Sequence, residues 1–382
     1  MDIIKSQRQL FDIPDNIAYF NCAYNSPLLV ESKNRLLAGA EDKCHPWERT
    51  AESFFNDAET IRNLSSTIFY GKPDDYAVVP SASYGISTAA RAIEPNLKSR
   101  DKILLMDEEF PSNVLPWQRV SKETGVQIVT VPTPENSNWT QAILDKIDKT
   151  IKVVAISSCH WTNGAKIDLE EIGKACREYD CVFVVDATQT LGAMPLSVEK
   201  VKPDFMVASG YKWLLCPYGF SLLYVSERWQ KARPLEETWI ARENAENFAT
   251  LVNYSDQYKP GARRFEVGQK CTPTIQPGAI AALEQIKNWG VPNITTALSN
   301  INNCIASHLQ VLGFRLPDDA QRCPHMFGAI LPKSYQGNLI NELKKRNIFI
   351  SQRGNSLRFA PHLHINDNDL DRLLDALTEL IK

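Results

Sequence analysis

The stretch CVFVVDATQ, residues 181–189, and the stretch DFMVASGYK, residues 204–212, decide how the rest of the chain reads. Each begins as an apolar run without polar alternation, as strands covered on both faces do, and each ends in polar residues. The first ends in Asp186, Ala187, Thr188 and Gln189; the second ends in Ser209, Gly210, Tyr211 and Lys212. A carboxylate at the end of a buried strand costs solvation free energy unless it meets a cation or strong donors. For Asp186 a protonated pyridine nitrogen would be such a partner. Lys212 stands one strand further along the chain. A lysine amine can form an imine with an aldehyde, the route by which cofactor enzymes engage amino groups. Ser209 and Tyr211 flank it with hydroxyls suited to a phosphate. Taken singly, Lys212 reads as a solvated loop lysine and Asp186 as a helix cap. Together with Gln189 and Ser209 at ordered strand ends they point to a cofactor site.

Further apolar runs lie to either side. Tyr76–Pro80, Lys102–Met106, Val126–Val131, Ile151–Ile156 and Phe220–Val225 join Cys181–Val185 and Asp204–Ala208 as strand candidates. Helical patterns separate them. The clearest follows Asp168, an N-cap with Glu171 as capping partner, and places Leu169, Ile172, Ala175, Cys176 and Tyr179 on one face. This alternation predicts an α/β fold with a mostly parallel seven-stranded sheet and a ligand at the carboxyl ends of its strands. After about Arg263 the pattern changes. Helices are predicted at Ala279–Asn288, Ile294–Leu312, Gly337–Arg346 and from Asp367, with strands at Met326–Leu331 and Ser356–Ala360. A large domain over 15–262 and a smaller C-terminal α/β domain over 263–382 are therefore expected, with residues 1–14 packed on the latter. The segment from Arg233 to Gly268 has weak periodicity.

Other loops at strand ends carry candidate chemistry. Ser81-Ala82-Ser83-Tyr84-Gly85 opens a helix, and free N–H groups with the helix dipole make such a start an anion site, although the composition is also that of an ordinary cap. Phe110, after the strand KILLM, is either a core residue or a ring that stacks on a flat cofactor. Asn163 either donates to a phenolate oxygen or makes a turn before Gly164. His160 has no second histidine or carboxylate at metal spacing nearby and reads as a supporting or core residue, so no metal is expected. Neither G-x-G-x-x-G nor G-x-x-x-x-G-K-[ST] occurs, so a dinucleotide or P-loop site lacks support.

Composition narrows the classes further. The 382 residues are 43% hydrophobic and 23% charged, an ordinary globular balance in a chain long enough for two domains. A formal net charge of −3 without a basic stripe argues against nucleic acid. The start, MDIIKSQRQLFDIPDN, lacks the apolar run of a signal peptide. The most apolar uncharged stretch, Trp213–Val225, contains Pro217 and Gly219 and reads as buried rather than membrane-spanning. The nine cysteines are odd in number and form no C-x-x-C pair; as small buried hydrophobes they suit the cytosol, the expected compartment.

At this point the residues DATQ, 186–189, and SGYK, 209–212, resemble the class V aminotransferase group of fold-type-I pyridoxal-phosphate enzymes, which includes cysteine desulfurases, kynureninases, isopenicillin N epimerase-like proteins and C–S lyases. The resemblance runs from Tyr19-Phe20-Asn21 to the segment Arg358–His362, nearly the whole chain. It implies that Lys212 is the Schiff-base lysine of pyridoxal 5'-phosphate and that Asp186 holds the pyridine nitrogen. It also implies that Gln189 and Asn163 bond the phenolic oxygen, and that Ser209, Tyr211, Ser83 and the backbone around Ala82 form the phosphate cup. Phe110 falls where the family places a ring, commonly histidine, over the cofactor. Arg358 matches the arginine that holds a substrate carboxylate by a bidentate pair. The resemblance further implies a homodimer whose second subunit completes the phosphate cup. Gln269, in Phe265–Gln269, stands where threonine is usual for that contact.

One departure matters. Desulfurases of the group carry a loop with a nucleophilic cysteine shortly before the carboxylate-binding arginine; here Arg353 to Arg358 leaves no room for it, and no cysteine follows Cys323. A persulfide-forming desulfurase is thereby disfavoured. Transamination of a small amino acid is the leading expectation, with C–S cleavage or epimerisation at the same site as alternatives. Tyr24, Asn25, Trp161 and Arg353 are the side chains expected to choose among them. A non-catalytic scaffold and a nicotinamide oxidoreductase are the more distant readings, opposed by Lys212, Asp186 and Arg358 and by the missing glycine fingerprint.

Overall fold

The computed structural model describes residues 3–381. Its strands are β1 (Ala18–Tyr19), β2 (Tyr76–Val79), β3 (Lys102–Met106), β4 (Gln127–Val131), β5 (Ile151–Ser157), β6 (Val182–Asp186), β7 (Phe205–Ser209), β8 (Ser221–Val225), β9 (Phe327–Ile330), β10 (Ile348–Phe349), β11 (Ser351–Arg353) and β12 (Ser356–Phe359). The helices are α1 (Val30–Cys44), α2 (Asn56–Phe69), α3 (Ala82–Ile93), α4 (Leu115–Thr124), α5 (Trp139–Leu144), α6 (Leu169–Glu178), α7 (Val198–Val201), α8 (Gln276–Trp289), α9 (Val291–Val311), α10 (Leu339–Lys345) and α11 (Asp367–Ile381).

All seven predicted strands of the first part join one sheet, in the order β2-β8-β7-β6-β5-β3-β4. The pairs β3–β4, β3–β5, β5–β6 and β6–β7 are parallel, while β8 runs antiparallel to β2 and to β7. Apart from the edge strand β4, which is largely exposed or half-buried, the strands are buried almost along their length because helices cover both faces, which is why no polar alternation is written into them. One apolar cluster gathers Val154, Val185 and Met206 on one side of the sheet, and another gathers Val153, Val184 and Val207 on the other. The alternation of neighbouring residues between two cores is the period of two expected of strands.

Two local devices bring helices to the sheet edge. Ser81 caps α3, its Oγ accepting the Tyr84 N–H at 3.1 Å. Inside α3, a Cβ on Gly85 would stand 2.6 Å from Val207 Cγ2, so glycine is what lets the helix lie flat on β7. At α6 the cap is Asp168, whose Oδ1 accepts the N–H groups of Glu170 and Glu171. The expected reciprocal bond from the Glu171 side chain is not among the described contacts, so this is a single-sided cap and not a capping box.

The C-terminal part carries the antiparallel sheet β11-β12-β9 and the parallel pair β1–β10. Its own core runs from Ile305 through Phe327, Leu343, Leu357 and Leu373, and takes in Ala18 and Phe20 from the N-terminal region. Near the start of the chain, Gln7 N–H donates to Leu363 O at 2.7 Å and Arg8 pairs with Asp369. Packing does not change at residue 263: α8 joins the main core alongside Leu298 of α9, and only the second half of α9 turns to the C-terminal core. No helix of the described residues is long and apolar enough to cross a membrane.

Candidate active site

β2, β3, β5, β6 and β7 run the same way, so their carboxyl ends meet at one edge of the sheet. The residues that follow them line a narrow cleft: Ala82 from the first turn of α3, Glu109 and Phe110 after β3, Asp186, Thr188 and Gln189 after β6, and Ser209, Tyr211 and Lys212 after β7. The chain is held in costly conformations to do this. Glu108 and Leu215 have φ of 51° and 54°, in the left-handed region that disfavours bulky residues by roughly 1–2 kcal/mol each. Leu215 N–H donates to Lys212 O at 3.1 Å, closing the turn that presents the lysine. Such strain clusters where surrounding structure fixes a site.

Lys212 is 7% exposed and makes no hydrogen bond or ion pair among the described residues. Burial, opposed by Asp186 and reinforced by Arg358 and Arg353, lowers its pKa from 10.5 to about 8. Asp186 is 5% exposed; its Oδ1 accepts the Thr188 N–H at 2.9 Å, and Oδ2 has no described donor. Burial raises its pKa. The two groups share the cleft without forming an ion pair. An unpartnered buried amine facing an under-bonded carboxylate across a gap is unfavourable for a protein alone, and suits a flat cationic ring lying between them. The ring of Phe110 borders that gap, 5.6 Å from Lys212 Nζ and edge-on to Trp161 at 5.4 Å.

Behind Asp186 is a carboxyl that sequence reasoning missed. Glu109 is buried; its Oε1 accepts the Phe110 N–H at 2.8 Å and its Oε2 the Ser157 N–H at 2.9 Å. Ser157 is the register partner of Asp186, which puts the two carboxyls side by side. Burial and then the charge of Asp186 raise the Glu109 pKa to about 7. Burial and the neighbouring charge thus bias Glu109 toward its protonated form. Its signal in the sequence is a charged residue on the loop after a buried strand, three residues past β3 as Lys212 is three past β7.

Unfolded, Glu109 loses its proton near 4.5; folded, near 7. Between those values the folded chain holds a proton that the unfolded chain has released, so stability falls as pH rises, and the full cost is present above the folded pKa. Glu109→Gln removes this slope. In cofactor-free protein, urea unfolding should show the variant gaining on the parent by up to about 3 kcal/mol between pH 5 and 8. A parent–variant gap that does not change with pH would mean Glu109 is ionised throughout.

A second cavity of about 350 Å³ opens over the first, lined by Tyr24, Asn25, Trp161, Tyr218, Arg353 and Arg358 together with Phe110, Gln189, Tyr211 and Lys212. Arg358 is 1% exposed; Nη1 donates to Trp161 O at 2.7 Å, while Nε and Nη2 have no partner. Burial and the nearby Arg353 depress its pKa, although a guanidinium stays charged at any working pH. Gln189 is fixed from both ends: Nε2 donates to Ala23 O at 3.2 Å and Oε1 accepts the Trp213 indole N–H at 2.9 Å, leaving one amide hydrogen uncommitted.

Three expected residues stand apart. Asn163 lines neither cavity, because its Oδ1 accepts the Ala165 N–H at 3.0 Å and closes its own loop. Only the turn reading of Asn163 agrees with that placement. Ser83 is exposed, its hydroxyl bonded to Ser81 at 2.9 Å, so Ala82 alone represents that loop in the cleft. Gln269 is exposed too, while its neighbour Glu266 is buried against Arg62, Lys270 and the Val78 N–H. His160 behaves as a core residue, stacked on Trp139 at 4.8 Å. No cysteine lines either cavity, and no group of described His, Cys, Asp and Glu residues could hold a metal.

Comparison with known proteins bears on the family and the fold. The family model described as aminotransferase class-V matches residues 47–365. A probable cysteine desulfurase of Pyrococcus abyssi is 32% identical over 238 residues, 62% of this chain and 57% of that protein, so the match spans little more than half of the relative. An uncharacterized aminotransferase of Bacillus subtilis is 23% identical over 87% of this chain and 85% of its own. Among solved structures, the apo cysteine desulfurase of Thermococcus onnurineus superposes with a TM-score of 0.85 at 20% identity, over 100% of this chain and 99% of that one.

Proposed function

We propose that this chain, which belongs to the class-V aminotransferase family, is a pyridoxal-phosphate enzyme that attaches its cofactor to Lys212 and transfers the amino group of an amino acid held by Arg358. The observation that carries the reading is the trio of buried, under-partnered groups: the free amine of Lys212, Oδ2 of Asp186, and Nε and Nη2 of Arg358. Each is unfavourable alone, and each is matched by a part of the cofactor or of an amino acid.

Bound pyridoxal phosphate supplies an aldehyde that an amine can capture and a ring that withdraws the electron pair left when a bond to Cα breaks. The rest falls to the protein. Lys212, with a pKa near 8, offers an unprotonated amine in useful amount near neutral pH, both for attachment and, once released, for taking the proton from Cα. Asp186 would hold the protonated ring nitrogen, with Glu109 beside it biased toward its neutral form. Ala82 N–H at the start of α3 and the hydroxyls of Ser209 and Tyr211 would take the phosphate. Arg358 offers two free donors to the substrate carboxylate and would orient the amino acid. Phe110 would border the cofactor without offering an acid or base. The family likeness supports a homodimer, in which a second subunit would complete the phosphate site.

The absence of cysteine from both cavities supports transfer over persulfide formation. The test is a screen of amino acids with and without a keto-acid acceptor. Amino transfer should depend on the acceptor and return a keto acid from the donor. Sulfide and pyruvate without an acceptor would assign C–S cleavage instead, and loss of chirality alone would assign epimerisation.

A further inference from the structure

The outer cavity holds more positive charge than one carboxylate can neutralise. Its charged lining is Lys212, Arg353 and Arg358, with no aspartate or glutamate among the lining residues. Once Lys212 is committed to the cofactor and Arg358 to the α-carboxylate, Arg353 is left. Among the described residues Arg353 forms no ion pair; Nη1 donates to Gln352 O at 2.8 Å, and the guanidinium stands 6.0 Å from the ring of Tyr24 and 5.9 Å from that of Trp161. Two aromatic faces hold it in place while its remaining N–H donors stay free.

The strand register explains why the two arginines face the same way. In the antiparallel pair of β11 and β12, Ser351 opposes Arg358 and Arg353 opposes Ser356. Opposite residues share a face, and so do residues two apart, so Arg353 and Arg358 are diagonal neighbours roughly 7–8 Å apart, with their Cβ atoms somewhat closer. Both lower the pKa of Lys212, against the opposing effect of Asp186, and Arg353 lowers that of Arg358, so like charges meet within one cavity. Two guanidiniums at this spacing suit two anionic groups joined by a short carbon chain.

We infer that the substrate is an amino acid with an acidic side chain, its second anionic group paired with Arg353 while Arg358 holds the α-carboxylate. This rests on the reading of Lys212 as the cofactor lysine, which orients the α-amino group between the two arginines and the ring. Arg353 is thereby the specificity residue, and an uncharged side chain would leave it unpaired.

The test uses unreactive acids on the cofactor-loaded protein, with glutarate and succinate as diacids and butyrate as monoacid. Binding is followed both by the visible cofactor band and by tryptophan fluorescence, since Trp161 lines the cavity. At least one diacid should bind tenfold or more tightly than butyrate. Arg353→Gln should cut that preference to threefold or less, weakening the diacid far more than butyrate, and Arg353→Lys should keep part of it. Equal affinities in the parent protein, or a tenfold preference that survives Arg353→Gln, overturns the inference. Sulfonate analogues of the diacids separate a pure charge requirement from recognition of a carboxylate. If no visible band forms on adding cofactor, the reading of Lys212 has failed, and the fluorescence arm still reports on Arg353 alone.

Discussion

Replacing Lys212 by alanine is expected to lower turnover by about 10³-fold or more and to abolish covalent retention of cofactor after borohydride reduction. Two losses combine. The amine that captures the aldehyde is gone, and so is the base placed over Cα. No other lysine lines either cavity, so no neighbour can substitute. The same change should not harm the cofactor-free fold, because it removes a buried amine that has no hydrogen-bond partner. The informative pattern is thus a variant as resistant to urea as its parent, or more so, that binds cofactor reversibly and cannot be fixed by borohydride. A Lys212→Ala protein that still held cofactor covalently after borohydride would place the attachment elsewhere and sink the assignment.

What the amino-acid sequence discloses follows from how local each feature is. The strands were legible because burial on both faces imposes unbroken runs such as VFVV in β6 and FMVA in β7. The C-terminal helices were legible within a few residues for the matching reason, an apolar face at helical period. The direction of β8 was not, since an antiparallel strand buried on both faces has the same composition as a parallel one. α1 and α2 escaped notice because they bury mostly small or polar residues, such as Ser32 and Gly39 on α1 and Ala58, Arg62 and Ser65 on α2, which give little apolar contrast. At the site, Asp186 and Lys212 stood out because a charge at a strand end is conspicuous against apolar neighbours. Glu109 had the same signature but was masked by Asp107 and Glu108 beside it, which make the stretch look like a solvated acidic turn. Asn163 shows the opposite failure: an Asn-Gly turn and a ligand loop have the same letters, and only the bond to Ala165 N–H distinguishes them. The pairing of Arg353 with Arg358 depends on a hairpin register that no single-strand pattern contains.

Asp186→Asn is expected to move stability and activity in opposite directions. In the cofactor-free chain the carboxylate is buried, its pKa is raised by that burial, and one of its oxygens lacks a donor. Asparagine keeps the Oδ1 acceptor for the Thr188 N–H and removes the charge, so the apoprotein should gain resistance to urea at neutral pH. With cofactor bound the balance reverses. An amide cannot hold the ring nitrogen protonated, and exchange of the Cα proton of a bound amino acid should slow by about 10²-fold or more. A variant whose exchange rate is within threefold of the parent would show that Asp186 is not the group that charges the ring. The change also reports on Glu109. Its carboxyl stands near 7 partly because Asp186 is charged, so in Asp186→Asn it should titrate lower, and the fall of apoprotein stability with rising pH should become shallower. Combining Asp186→Asn with Glu109→Gln closes a double-mutant cycle, and a non-additive result that vanishes below pH 5 would identify a shared proton between the two carboxyls as the source of the coupling.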